Sequence, residues 1–213
     1  MELLMTGITF FQKGGIVMYV LLLCSLFVFS IGIERVMYFR RMDSGRTFAR
    51  DFYLALANNK WQKAEQLADH ARGALADILF AVITKKPEAR KNPSAYMEIQ
   101  SGIALAKLRK RLYYLSVIVT MAPLLGLLGT ISGMITSFSV FNLESGQPTA
   151  ITGGVGEALI ATAMGLCVAI ISLTVHAYFS QRIENVVTDM EQCFSMVETA
   201  AVERDGMNKE EAA

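Results

Sequence analysis

The sequence predicts an all-α polytopic membrane protein with three transmembrane helices, the second and third extended into the cytoplasm, plus a helical cytoplasmic region. Three observations carry this. Residues 14–33, 112–141 and 158 to about 181 hold no Asp, Glu, Lys or Arg, and each run provides the roughly 20 apolar residues that cross a hydrocarbon core of about 30 Å. Hydrophobic residues make up 53% of the chain and the mean hydropathy is +0.40, so charge is confined to a few blocks. The net charge of +1 hides an asymmetry: residues 34–111 carry sixteen Lys and Arg against eight Asp and Glu, while residues 142–156 carry no basic residue. Basic clusters at Arg35, Arg40 and Arg41 and at Lys107, Arg109, Lys110 and Arg111 flank the first two spans. The positive-inside rule then puts the long connection and the C-terminus inside, and the N-terminus and the 142–156 loop outside.

Residues 1–13 read as a short interfacial helix, with Leu3, Leu4, Ile8 and Phe11 at helical spacing before Lys13 and the breaker Gly14-Gly15. The first transmembrane helix, 14–33, is rich in Leu, Val and Phe, as expected of a lipid-facing anchor. Its apolar run exceeds that of a signal peptide, and no small-residue cleavage site precedes Glu34-Arg35. In the cytoplasmic region, 34–111, helices are expected over Arg46–Asn58, Lys60–Ala71 and Ala74–Lys85, divided by Asn58-Asn59, Gly73 and Pro87. Trp61 and His70 read there as packing and surface residues.

Asn92-Pro93 is a strong helix start, and nothing interrupts the pattern from Ser94 into the second span, 112–141. One rod of about 48 residues, roughly 70 Å, is expected. Pro123 cannot bond the carbonyl of Val119, which predicts a kink or a water-facing carbonyl there. Residues 142–156, with Pro148 and Gly153-Gly154-Val155-Gly156, read as the outer loop, and residues 157–181 as the third span. Ile183, Val186, Val187, Met190, Phe194 and Val197 continue the helix to about Ala200 within the C-terminal segment 182–213. The charged stretch Glu203–Ala213 reads as disordered.

Several function classes have little support. Cys24, Cys167 and Cys193 show no paired or zinc spacing, so no metal site or cofactor is expected. The glycine cluster follows no strand and precedes no Gly-Lys-Ser/Thr, which argues against nucleotide binding. There is no nucleophile triad, carboxylate pair or His-Glu-x-x-His, so no catalytic residue is expected and the chain does not read as an enzyme. The basic connection abuts two span ends, so topology and anionic membrane lipid explain it better than nucleic acid.

Two spans carry small and polar stripes. Pro123, Gly126, Thr130, Gly133 and Ser137 repeat at 3, 4, 3, 4, with Gly129 nearby. Ala158, Thr162, Gly165, Ala169, Ser172 and His176 repeat at 4, 3, 4, 3, 4. Small residues let helices approach closely in lipid, so each stripe should face protein or a pore. Plain helix packing and a water-lined path both fit the stripes. Thr130 and Thr162 bear hydroxyls that can relay hydrogen bonds without titrating. Glu157 is the one acid at the outer end of a span, where function and helix capping are equally served. It lies about 100° from the third-span stripe on an ideal wheel.

Ala122-Pro-Leu-Leu-Gly-Leu-Leu-Gly-Thr-x-x-Gly-Met134, followed by Gly156-Glu-Ala-Leu-Ile-Ala-Thr-Ala-Met-Gly-Leu166, resembles the paired signature of the ExbB/TolQ/MotA proton-channel family. Three spans make the chain more similar to ExbB and TolQ than to MotA. The resemblance implies a homopentamer in the bacterial inner membrane, N-terminus periplasmic and C-terminus cytoplasmic, whose second and third helices line a pore. That pore would enclose a single-span ExbD- or TolR-like subunit bearing the titrating aspartate. It further implies that Thr130, Thr162 and Glu157 line a proton pathway coupled to a TonB- or TolA-like periplasm-spanning protein, with Pro123 as the family's second-helix proline. An ExbB-like import role, a TolQ-like envelope role and a non-conducting scaffold are the competing readings.

Overall fold

The computed structural model describes residues 15–143 and 148–211; within these, 140–143, 148–152, 157 and 205–211 are described by backbone alone. The expected 1–13 helix lies outside the described residues. Among the described residues there are eight helices and no strand: α1 Gly15–Met42, α2 Arg46–Ala57, α3 Trp61–His70, α4 Ala74–Ile83, α5 Pro87–Arg90, α6 Pro93–Arg109, α7 Leu112–Leu143 and α8 Pro148–Glu211. Three helical stretches are long and apolar enough to cross a membrane. The chain divides into two compact units, one from residues 1–33 and 111–178 and the other from 34–110 and 179–213.

In the first unit, Val17, Leu21, Val28 and Ile31 of α1 pack with Leu115, Ile118 and Ala122 of α7 and with Val168 and Ala169 of α8. The opposite faces expose large apolar side chains, such as Leu23 and Phe27 on α1, Leu124 and Ile135 on α7, and Ile170 and Leu173 on α8. So much exposed apolar surface fits helices that hydrocarbon or other membrane helices cover. Helix α1 therefore packs one face into this core and leaves the other exposed.

The second unit folds around helix ends that the sequence marks clearly. Helix α2 buries Phe48, Ala49, Phe52, Ala55 and Leu56. It stops at Asn59, whose φ of 56° turns the chain so that the Lys60 amide donates to the Ala55 carbonyl at 2.9 Å, a left-handed C-terminal cap. Helix α4 ends the same way: Lys85 has φ 52° and the Lys86 amide donates to the Ala81 carbonyl at 3.0 Å. Gly73 has φ 122°, and a Cβ there would lie 2.8 Å from the Met42 carbonyl oxygen, so the turn into α4 requires glycine. Asn92 caps α6 by accepting from the Ala95 amide at 3.1 Å, with Pro93 in the first turn. Phe179, Ile183, Val186, Met190, Cys193, Val197 and Ala200 form the buried stripe of the α8 segment in this unit.

Three expectations are corrected. The single rod from Ser94 to Phe141 is interrupted at Lys110-Arg111, between α6 and α7. Like charges at Lys107, Lys110 and Arg111 repel at helical spacing. Arg35, only 3% exposed, donates from Nη1 to the Leu108 carbonyl at 3.0 Å and the Lys107 carbonyl at 3.3 Å, so a side chain serves acceptors beside the interruption. The same guanidinium pairs with Glu34 at 3.1 Å and covers the Tyr38 ring. Second, the third span's helix begins at Pro148 rather than Glu157, so Gly153, Gly154 and Gly156 are helical. Proline in a first turn forgoes an amide that has no partner there anyway, which favours this earlier start. Third, α8 continues past Ala200 to Glu211, through most of the stretch read as disordered.

Candidate functional site

The two small-residue stripes belong to α7 and α8, and in the first unit they meet. A Cβ on Gly126 would lie 3.0 Å from both the Ala161 carbonyl oxygen and the Thr162 Cα; one on Gly165 would lie 2.6 Å from the Ala122 carbonyl oxygen and 3.0 Å from the Gly126 Cα. Backbone thus touches backbone, which only glycine permits. One, two and three turns toward the α8 N-terminus, Gly129 faces the Ala161 methyl, Gly133 faces the Ala158 methyl, and Gly154 lies against the Ser137 side chain. Ala158, Gly165, Ala169 and Ser172 are buried, as are Gly126, Gly129 and Ser137, while Pro123 and Gly133 are half-buried. Helix α7 runs through Pro123 without interruption.

Hydroxyls lock the seam. Thr162 Oγ1 donates to the Gly126 carbonyl at 3.2 Å, across the closest approach of the two helices. Ser172 Oγ, fully buried, donates to the Leu115 carbonyl at 3.1 Å. Ser137 Oγ and Thr130 Oγ1 instead bond within α7, to Gly133 at 2.8 Å and Leu127 at 2.6 Å. Both threonines are half-buried, at the margin of the seam. Glu157 lies within α8, and its side chain is outside the described residues. His176 is half-buried on α8.

Of the two arrangements that fit the stripes, helix packing and a water-lined path, the glycine rows take the first: they face one another within one chain. The reason is steric, because two rows of small residues at matching 3, 4 spacing are each other's best complement. Gly154 and Ala161 belong to this contact and were not singled out. Gly154 lies one turn before Ala158 on the same stripe, a signal hidden by placing it in a loop.

Helices α7 and α8 carry both signature motifs, and the profile of the MotA/TolQ/ExbB proton channel family matches residues 66–192. The chain belongs to this family. The ExbB-like 1 protein of Synechocystis sp., named for biopolymer transport, is 35% identical over 170 residues, covering 78% of this chain and 67% of its own. The ExbB-like 3 protein of the same organism is 31% identical over 166 residues, or 76% of this chain and 79% of its own. The Tol-Pal system protein TolQ of Pseudomonas aeruginosa is 33% identical over 107 residues, 45% of each chain. Membership makes the seam the joint between the two motif-bearing helices of a proton-channel subunit.

In the second unit, burial displaces the pKa of two neighbouring groups, Cys193 and Asp189. Burial pushes the Cys193 thiol up to about 12, Asp189 adds to the rise, and its Sγ donates to the Ala49 carbonyl at 3.5 Å. Burial also raises the Asp189 carboxyl; Arg46 opposes this and Asp43 reinforces it. Cys193, buried and with its thiol kept protonated, is therefore a packing residue.

Proposed function

We propose that this chain is the ExbB-like subunit of an inner-membrane motor in which protons move along the exposed margin of the α7–α8 seam, past Thr130 and Thr162, against a partner helix. The observation that carries this reading is chemical: residues 112–141 and 158–175 contain no Asp, Glu, Lys, Arg or His. A proton path through these helices needs a titrating group from elsewhere, which a single-span ExbD- or TolR-like subunit would supply, with Glu157 at the outer end. Each charge crossing 100 mV releases about 2.3 kcal/mol, enough to shift a packed two-state contact. The output would be force on a TonB- or TolA-like protein. The ring is proposed as a pentamer, with the N-terminus periplasmic and the C-terminus cytoplasmic, as the basic 34–111 connection supports. A TolQ-like envelope role is the second reading, supported by the TolQ match.

The test is proton flux into proteoliposomes, with the chain alone and with its co-purified single-span subunit. Flux is expected only with the partner. Thr130→Val and Thr162→Val should each lower it by about tenfold or more, equivalent to about 1.4 kcal/mol, while Thr→Ser at either site retains it. Full flux through both Val variants would favour the non-conducting scaffold and refute the pathway.

A further inference from the structure

The second unit carries a groove of about 790 Å³ between the start of α6, the α4–α5 turn and the α8 segment around residues 197–204. Its floor is apolar and firm: Val82, Met97 and Val197 line it and are buried. At one side stands Trp61, half-buried, its Nε1 donating to Asn59 Oδ1 at 3.3 Å and its ring lying 5.2 Å from the Arg204 guanidinium. Val202, also in the lining, is 74% exposed. The groove lies outside the three uncharged runs, so hydrocarbon does not account for the exposure of Val202.

Charge around the lining is one-sided. Lys85, Arg90 and Arg204 stand against the single acid Glu198. Lys85 occupies a left-handed position, φ 52°, where glycine would be cheaper, so the turn keeps a cation at the rim against its own conformational preference. The described residues offer no strand edge, which leaves side-chain grooves rather than main-chain pairing as the means of recognition. Ser94 and Met97 on α6, with Val197 and Ala201 on α8, line the groove at one-turn spacing, matching the i, i+3 or i+4 knobs of a helical ligand.

The geometry points to a docking groove for an acidic amphipathic helix of a partner protein, its apolar face on Met97, Val197 and Val202 and its carboxylates toward Lys85, Arg90 and Arg204. Basic rim residues steer such a ligand, and the apolar floor with Trp61 holds it. Glu198 sets register, since the residue opposite it must be neutral or basic.

Trp61 is the only tryptophan in the chain, so its emission reports occupancy directly. The full-length protein in phosphatidylcholine nanodiscs is titrated with a tryptophan-free amphipathic peptide of about 18 residues bearing Leu on one face and Glu on the other, and with its Lys counterpart. A saturable change in Trp61 emission is expected with the Glu peptide alone. Arg90→Glu and Val202→Asp, both at exposed positions, should each weaken binding by about tenfold, and Arg90→Glu should admit the Lys peptide. The proposal is overturned if the Glu peptide leaves the emission unchanged or if the Lys peptide binds the native protein equally well. Binding unaffected by both substitutions overturns it too, as does the same emission change produced by phosphatidylglycerol vesicles without peptide, which would assign the groove to a membrane surface.

Discussion

Replacing Gly165 with alanine adds one methyl group where the chain has no room for it. That methyl would sit 2.6 Å from the Ala122 carbonyl oxygen and 3.2 Å from the Gly126 amide nitrogen. Both neighbours are main chain, so no side-chain rotation relieves the clash, and α7 and α8 must move apart by several tenths of an ångström. Overpacking of this kind costs about 1–3 kcal/mol. The shift also stretches the 3.2 Å bond from Thr162 to Gly126, worth about 0.6 kcal/mol between membrane helices. The gain in helix propensity from glycine to alanine, about 1 kcal/mol in water, offsets part of this. A net loss of about 0.6–2.6 kcal/mol is expected. Gly102, in the interior of α6 where an added methyl would meet nothing within 4 Å, provides the control: Gly102→Ala should be neutral or stabilising by up to about 1 kcal/mol. Thermal unfolding of both variants in the same detergent reads the difference. If Gly165→Ala matches or exceeds Gly102→Ala, the backbone contact between α7 and α8 is not what joins these helices.

Arg35→Met removes a buried cation from two carbonyls and Glu34; hydrogen bonds of a charged group contribute about 1.5–3 kcal/mol, so denaturant titration should show a loss of that order, with Arg35→Lys recovering only part. Thr162→Val and Ser172→Ala should each cost about 0.6–1.7 kcal/mol in the same assay, too little to unfold the chain and so separable from an effect on flux. Cys193 in a Cys24→Ser, Cys167→Ser background should resist iodoacetamide at pH 8 until the protein unfolds, followed by mass spectrometry. Its folded pKa is raised from 9.0 to about 12, so its contribution to stability is complete below pH 9 and is lost as pH rises toward 12; maximal unfolding free energy at pH 11 would contradict this.

The membrane helices were legible because absence of charge over such lengths has few other causes, and the caps at Asn58-Asn59 and Asn92-Pro93 were legible because those residues close or open helices by local bonding alone. The early start of α8 was not, because glycine weakens a helix in water yet favours close packing in lipid, and Gly154 serves the second role. At the interruption at Lys110-Arg111, the bonds from Arg35 to the Lys107 and Leu108 carbonyls come from seventy-odd positions away in sequence, and no local pattern announces them. The residue content of the seam was plain; its direction was not, since a small polar stripe fits a neighbouring helix of the same chain as well as any other surface.

Thr130 and Thr162 each commit their single hydroxyl hydrogen to a carbonyl, at 2.6 and 3.2 Å. What remains on each oxygen is lone-pair density alone, so a solvent molecule beside either must point a hydrogen at it. A file of waters passing both residues would inherit that orientation and carry a built-in polarity. Each successive proton would then require the file to turn over against the same two anchors, and the reorientation step, rather than the hop itself, would set the pace of turnover.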